Sequence, residues 1–159
     1  MKLRLAAIVT SALVAPDGTW ILYFYTLGDA GFNGAGEIGR ATAPAPTGPW
    51  TIDPDPMLSP GPSDHVLDIA TGAGHAAVAV RETGAQVTGV DISPVLLSEA
   101  EHYAITHALE GVQFDEGNAA DLPYADRAFS LAISTFGLAH VSEGQSAISE
   151  LERILVPSG

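Results

Sequence analysis

From His65 onward, short apolar runs alternate with longer amphipathic stretches. "HVLDIA", "AQVTGVD", "VQFDEG" and "FSLAISTF" are short, apolar and largely β-branched or aromatic, so each reads as a buried strand. "GHAAVAVRETG" reads as an Ala/Val-rich helix closed by Gly84. Ser93-Pro94 supplies a cap and a first-turn proline for a second helix. Leu97, Ala100, Ala104 and Ala108 then recur at three- and four-residue spacing, and Gly111 is the expected stop. "EGQSAISELERILVPSG" predicts a last helix with Ile148, Leu151 and Leu155 on one face. Strands alternating with helices predict an α/β fold, a Rossmann-like parallel sheet with flanking helices.

The residues before this have a different rhythm. "TWILYFYTL" is an aromatic, β-branched strand, "GDAGFNGAG" a loop and "EIGRATA" a second strand, which together predict a β-hairpin. Seven prolines between Pro44 and Pro62 then remove ladder donors and stiffen the exit. A lone hairpin is marginal in water and needs another surface to cover it. The opening "MKLRLAAIVTSALVA" carries two early positive charges and an apolar stretch, in the manner of a short signal peptide. Thr10 and Ser11 interrupt that stretch, and a plain buried strand explains it as well. Two units are therefore expected, a β-hairpin segment with a proline-rich linker over 1–62 and an α/β domain over 63–159.

Composition narrows the partners. Six Lys and Arg face nineteen Asp and Glu, for a formal net charge of −13. Such a chain repels phosphate backbones, and no basic cluster offsets this, so nucleic acid is excluded as an expected partner. With no cysteine there is no thiolate nucleophile and no sulfur metal site; a metal is not expected. No stretch approaches the roughly 20 apolar residues of a spanning helix, so a membrane partner is not expected and the location expected is cytoplasmic.

The candidate chemistry lies in "DIATGAG" and the acid that follows one strand later. Parallel strands bring their loops to one sheet edge, and ligands sit where the strand order reverses. Gly72 and Gly74 open the helix, where missing side chains let backbone N–H groups approach a ligand. Asp91 closes the second strand, near the roughly 20-residue interval at which an acid meets ribose hydroxyls in nucleoside-binding folds. A carboxylate can accept both hydroxyls of a diol but repels a phosphate. A dinucleotide G-x-G-x-x-G turn would need glycine where Ala77 stands, which disfavours a nicotinamide dehydrogenase.

Taken together, residues 65–159 resemble the N-terminal part of a class I S-adenosylmethionine-dependent methyltransferase acting on small molecules. "VLDIATGAG" resembles the first family motif, with Asp68 as the acid before the turn and Ala70, Gly72 and Gly74 at its three glycine positions. "VTGVDISPVLL" matches the second strand, which implies Asp91 as the ribose ligand and Ile92 beside the adenine. "EGNAADLPYADRAFS" resembles the third-strand loop, where Asn118, next to Ala119, replaces the acid that contacts the adenine amine. "ELERILVPSG" matches the turn after the last helix, and Thr135 follows the fourth strand on the cofactor side. Alanine in place of the first glycine is mild if its backbone angles stay negative. The acid common at the start of the fourth strand is Ser130. A second resemblance links "GTWILYFYTL…GEIGRATAPAPTGPW" to a blade segment of five-bladed β-propeller glycosidases. One blade cannot assemble their carboxylate constellation, and turn solvation explains Asp29 and Glu37 as well as catalysis does.

The methyltransferase resemblance implies S-adenosyl-L-methionine as cofactor and a small-molecule methyl acceptor. Methyl transfer from a sulfonium needs mainly alignment, and a general base only if the acceptor must lose a proton. His140, just past the fourth strand, is the candidate base, whereas His75 is expected to pack or cap. The sequence ends where family members begin a fifth strand, so an incomplete fold with doubtful activity is expected. Self-association through an open sheet edge is expected on the same ground. The alternatives are a non-catalytic S-adenosylmethionine-binding or interaction module and a glycan-active propeller remnant.

Overall fold

The computed structural model describes residues 7–26, 38–135 and 137–157. They form two sheets in succession. The first is antiparallel, in the order β1 (Ala7–Val14), β2 (Trp20–Thr26), β3 (Ile38–Ala43) and β4 (Thr51–Ile52). The expected hairpin is β2–β3, with Trp20 opposite Ala43 and Tyr25 opposite Ile38. It is wider than expected, because β1 joins β2 on one side and β4 joins β3 on the other. Pairing on both flanks supplies the cover that an isolated hairpin lacks. The expected "GDAGFNGAG" loop, with Asp29, and Glu37 fall outside the described residues.

The second sheet is parallel, in the order β7 (Val112–Glu116), β6 (Gln86–Asp91), β5 (His65–Ile69) and β8 (Leu131–Ile133). Successive strands β5, β6 and β7 step in one direction and β8 returns to the far side of β5, so the order reverses beside β5. All four predicted strands are present, as the Rossmann-like reading requires. Alternate β5 residues feed two cores. Leu67 and Ile69 join Val90, Leu122, Phe129 and Ile154 on one face. Val66 joins Ala77, Val80, Ala85 and Val87 on the other. Burying each large aliphatic side chain stabilises the fold by about 1.5–3 kcal/mol before chain entropy is counted.

The helices follow the predicted order with altered bounds. Helix α1 spans His75–Arg81 and packs on the β5 and β6 side. Helix α2 spans Pro94–Thr106; Ser93 caps it by accepting the Leu96 N–H, and Leu97, Ala100 and Ala104 are buried. It stops earlier than expected. The His107 ring packs on Tyr103 and bonds its carbonyl oxygen at 2.8 Å, and Ala108 turns to φ +52°, leaving it exposed beyond the helix. Helix α3 spans Gly144–Ile154, and its buried residues are Ala147 and Ile154. The expected Ile148–Leu151–Leu155 face holds in part: Leu151 and Leu155 pack on the core, Leu155 from an extended conformation just past the helix, whereas Ile148 is 45% exposed. Among the described residues no helix is long and apolar enough to cross a membrane.

Arg153 fastens α3 to the loop between β7 and β8. Its guanidinium donates to both Glu150 carboxylate oxygens (2.9 and 2.7 Å), to Asp126 (3.0 Å) and to the carbonyl oxygens of Tyr124 (2.7 Å) and Leu122 (3.1 Å). Glu150 in turn accepts the Leu122 N–H at 2.8 Å, and Arg153 holds its carboxyl down at about 2. A planar fork bonding several acceptors at once orders a loop that has little regular structure of its own. Past α3, Leu155 bridges Phe129 in parallel, immediately before β8. Among the described residues, β8 itself pairs with β5 alone.

Candidate functional site

The loops that follow β5, β6, β7 and β8 meet at the carboxyl edge of the parallel sheet. Where they meet there is a cavity of about 480 Å³, within the range of small-molecule sites. Of the residues singled out above, Ala70, Gly72, Asp91, Ile92, Asn118, Ala119, Thr135 and His140 line it. Asp68 and Gly74 do not. Further lining comes from Leu96 at the start of α2 and from Gly137, Val141, Ser142 and Glu143 before α3. Sequence reasoning missed this second group, because its only local signal was a glycine and a helix start.

The turn is anchored to the neighbouring strand by two contacts. Thr71 N–H donates to the Val90 carbonyl oxygen at 2.9 Å, and Gly72 N–H donates to Asp91 Oδ2 at 2.8 Å. Asp91 Oδ1 accepts the Ser93 N–H at 2.9 Å. The carboxylate is therefore aimed at the glycine turn and held at both oxygens. Each oxygen accepts about two hydrogen bonds, so one position on each remains for ligand hydroxyls.

The three glycine positions turn out to do different work. Gly72 has φ +57°, and a Cβ built there would meet nothing within 4 Å, so its bare face opens on the cavity. Gly74 has φ +78°, and a Cβ there would come within 2.7 Å of the Ala100 Cβ and 2.9 Å of Phe114. Gly74 therefore lets α1 pack against α2 and β7 rather than lining the cavity. Ala70 departs from the negative backbone angles that would have made it mild: its φ is +55°. An L-residue in this left-handed region carries about 1–2 kcal/mol of strain. A Cβ on Gly137 would collide with Ala70, so the loop after β8 needs glycine to lie against this turn.

Asp68 lies beneath the turn, 1% exposed. Its Oδ2 accepts the Thr71 hydroxyl at 2.6 Å and the Ala77 N–H at 3.1 Å, while Oδ1 is buried without a partner. Burial raises its carboxyl to about 7, against the pull of those two bonds, and the nearby Asp91 charge adds to the rise. Its direct role is to tie the turn to the first turn of α1. Asn118 forms a local turn, its amide oxygen accepting Ala120 N–H at 3.0 Å, with one acceptor position left. Ile92 is 70% exposed at the rim, an apolar surface for a flat ring to cover. His140 ends a 3₁₀ turn, Gly137–His140, and is exposed at the cavity margin. His75 packs on Tyr103, ring centroids 4.5 Å apart, as expected of a packing residue.

The electrostatics are one-sided. Neither lysine nor arginine lines the cavity among the described residues, and Asp91 and Glu143 do. Such a site suits a cationic or neutral nucleoside and disfavours a pyrophosphate.

A parallel sheet whose strand order reverses beside a glycine turn, with helices packed on it, is the Rossmann-like fold. Residues 66–159 match the family model of the methyltransferase domain, and the chain belongs to that family. The chain is 33% identical over 110 residues to the ubiquinone/menaquinone biosynthesis C-methyltransferase UbiE of Zymomonas mobilis, a match covering 69% of this chain and 46% of that protein. It is 38% identical over 96 residues to a demethylmenaquinone methyltransferase of Thermus thermophilus, covering 59% of this chain and 43% of the other. Among solved structures, the YcgJ protein of Bacillus subtilis superimposes with a TM-score of 0.60 at 32% identity, over 62% of this chain and 42% of that one. The chain thus spans less than half the length of each of these relatives. The resemblance of residues 16–62 to a propeller glycosidase finds no support, since these similar proteins point to methyltransferases and none to propellers. A four-stranded antiparallel meander is a general solution to covering a hairpin, not a mark of one enzyme class.

Two outcomes follow from this geometry. Gly74→Ala should cost about 2 kcal/mol or more in urea unfolding, from overpacking added to a positive φ. Gly72→Ala should cost about 1 kcal/mol from φ alone; equal losses would contradict the division of roles. For Asp68, the folded state retains a proton that the unfolded state gives up near 3.8, so its contribution is full below that pH and is lost as pH rises towards 7. Relative to Asp68→Asn, the wild type should lose a few kcal/mol of stability across that window, and a pH-independent difference would refute the burial of this group.

Proposed function

We propose that the cavity binds S-adenosyl-L-methionine and that the protein methylates a small-molecule acceptor. The observation that carries this reading is the Asp91 carboxylate, fixed by Gly72 and Ser93 yet open on its outer side, in a cavity that no lysine or arginine lines among the described residues. The residues present suit the cofactor. Asp91 would accept the ribose hydroxyls, and the open face of Gly72 would admit the ligand close to the backbone. Ile92 and Leu96 would cover one side of the adenine, with Asn118 and Ala119 at its edge. Ala70 and Thr135 would face the amino-acid end, and Asp68 would position the turn from beneath.

When bound, the cofactor supplies a methyl group on a sulfonium, an electrophile with a good leaving group already in place. The protein's part is then to fix distance and direction, which can account for much of the acceleration. His140 stands at the open margin, where it would accept a proton from an acceptor that must lose one. The Thermus relative is named for demethylmenaquinone and the Zymomonas relative for ubiquinone and menaquinone biosynthesis, which supports an organic small-molecule acceptor here.

Titration calorimetry with S-adenosylhomocysteine tests this reading. The folded chain should bind it, and Asp91→Ala should weaken binding by about tenfold or more, the loss expected for hydrogen bonds to a charged group. Absence of binding, or an unchanged affinity in the variant, would count against the proposal.

A further inference from the structure

A second, smaller cavity lies between the two sheets. It measures about 160 Å³ and is walled by Ile38 and Leu58 from the N-terminal region, Ala76 and Val80 from α1, and Ile133 from β8. Among the described residues no charged one lines it. Ile38 and Leu58 are held as a pair, the Ile38 N–H donating to the Leu58 carbonyl oxygen at 2.9 Å and the Leu58 N–H returning the bond at 3.2 Å. Ile38 also packs, together with Ile133, on Ala76 and Ala79, so the N-terminal sheet is seated on α1 and the end of β8.

The two cavities share one wall residue. Thr135 lines both, and Ser134 stands beside it with its hydroxyl oxygen accepting the Leu138 N–H at 3.2 Å. The wall of the chamber is thus aliphatic except for the hydroxyls of Ser134 and Thr135, the second of which it shares with the larger cavity. An engineered apolar cavity of about 150 Å³ in another protein takes up benzene, so one aromatic ring is the matching load. Thr135 follows β8 and Asp91 ends β6, so the shared residue lies across β5 from Asp91 and Ile92.

We infer that the small cavity seats the neutral, ring-sized apolar end of the methyl acceptor, with the atom to be methylated emerging past Thr135. This rests on the methyltransferase reading above and adds a substrate class to it. The N-terminal sheet thereby gains a function of its own. Ile38 and Leu58 lie before residue 66, where the match to the family model begins, so part of this acceptor site comes from outside the methyltransferase domain as that model bounds it.

Phenol is a suitable probe, a single ring with one polar atom. In ¹⁵N-labelled whole chain saturated with S-adenosylhomocysteine, phenol should shift the amides of Ile38, Ile133, Ser134 and Thr135. Transferred contacts between phenol ring protons and the bound S-adenosylhomocysteine should appear. Leu58→Trp fills the chamber from its rim, and Ala76→Ile fills it from α1 should the first variant fold poorly. Either should weaken phenol by about tenfold while S-adenosylhomocysteine affinity stays within about twofold. Phenol that shifts none of these amides, that binds the folded variants unchanged, or that displaces S-adenosylhomocysteine overturns the inference. If the unaltered chain binds phenol in the chamber but not S-adenosylhomocysteine, the methyltransferase reading itself falls, and the acceptor assignment with it.

Discussion

The site depends on one short contact: the Gly72 N–H donating to the Asp91 carboxylate at 2.8 Å. It joins the turn after β5 to the end of β6, and so couples the two strands at the place where a ligand must enter. A charge-assisted bond of this kind is stronger than a neutral one and sets the direction of the acid. Other contacts hold the same edge in place. The Thr71 N–H bond to Val90 keeps the turn close, Asp68 binds it from below, and Gly137 brings the loop after β8 against Ala70. Strain at Ala70 and burial of a carboxyl with one unpaired oxygen are both costs concentrated in this turn. Such costs are tolerated where the surrounding structure over-determines the backbone, and they gather at functional sites.

The second dependence is between the sheets. The parallel sheet presents α1 and the tip of β8, and the antiparallel sheet sets Ile38 and Leu58 against them. Alanine at 76 is small enough to leave a chamber there instead of a closed contact. The two cavities therefore have different chemistry for a structural reason. One is built from loops and backbone groups at the sheet edge, with acids at its rim; the other is built from aliphatic side chains between layers.

Much of this was legible in the sequence, because much of it is local. A parallel strand buried on both faces reads as an apolar run, and β5 to β8 all lie where such runs predict them. The Ser93-Pro94 start of α2 and the glycine turn are likewise carried by neighbouring residues. What could not be read depends on contacts between distant parts. Gly74 resembles a ligand-binding glycine until Ala100 and Phe114 are seen against it. The positive φ of Ala70 contradicts its residue type and is imposed by the turn. The end of α2 is decided by the His107–Tyr103 contact rather than by Gly111. The buried face of α3 includes Ala147 and Ile154 because Arg153 and Glu150 fix its rotation on the loop beneath. The width of the N-terminal sheet and the small cavity both require pairings across the chain that no window of residues contains.

The central claim is that Asp91 holds a nucleoside by its sugar diol. A double-mutant cycle measures that bond directly: S-adenosylhomocysteine and its 2′-deoxy analogue, each titrated into the unaltered chain and into Asp91→Ala. The account predicts that removing the 2′-hydroxyl weakens binding to the unaltered chain by about tenfold and changes binding to the variant little. Equal losses in both proteins would show that the hydroxyl and the carboxylate do not meet, and would contradict it.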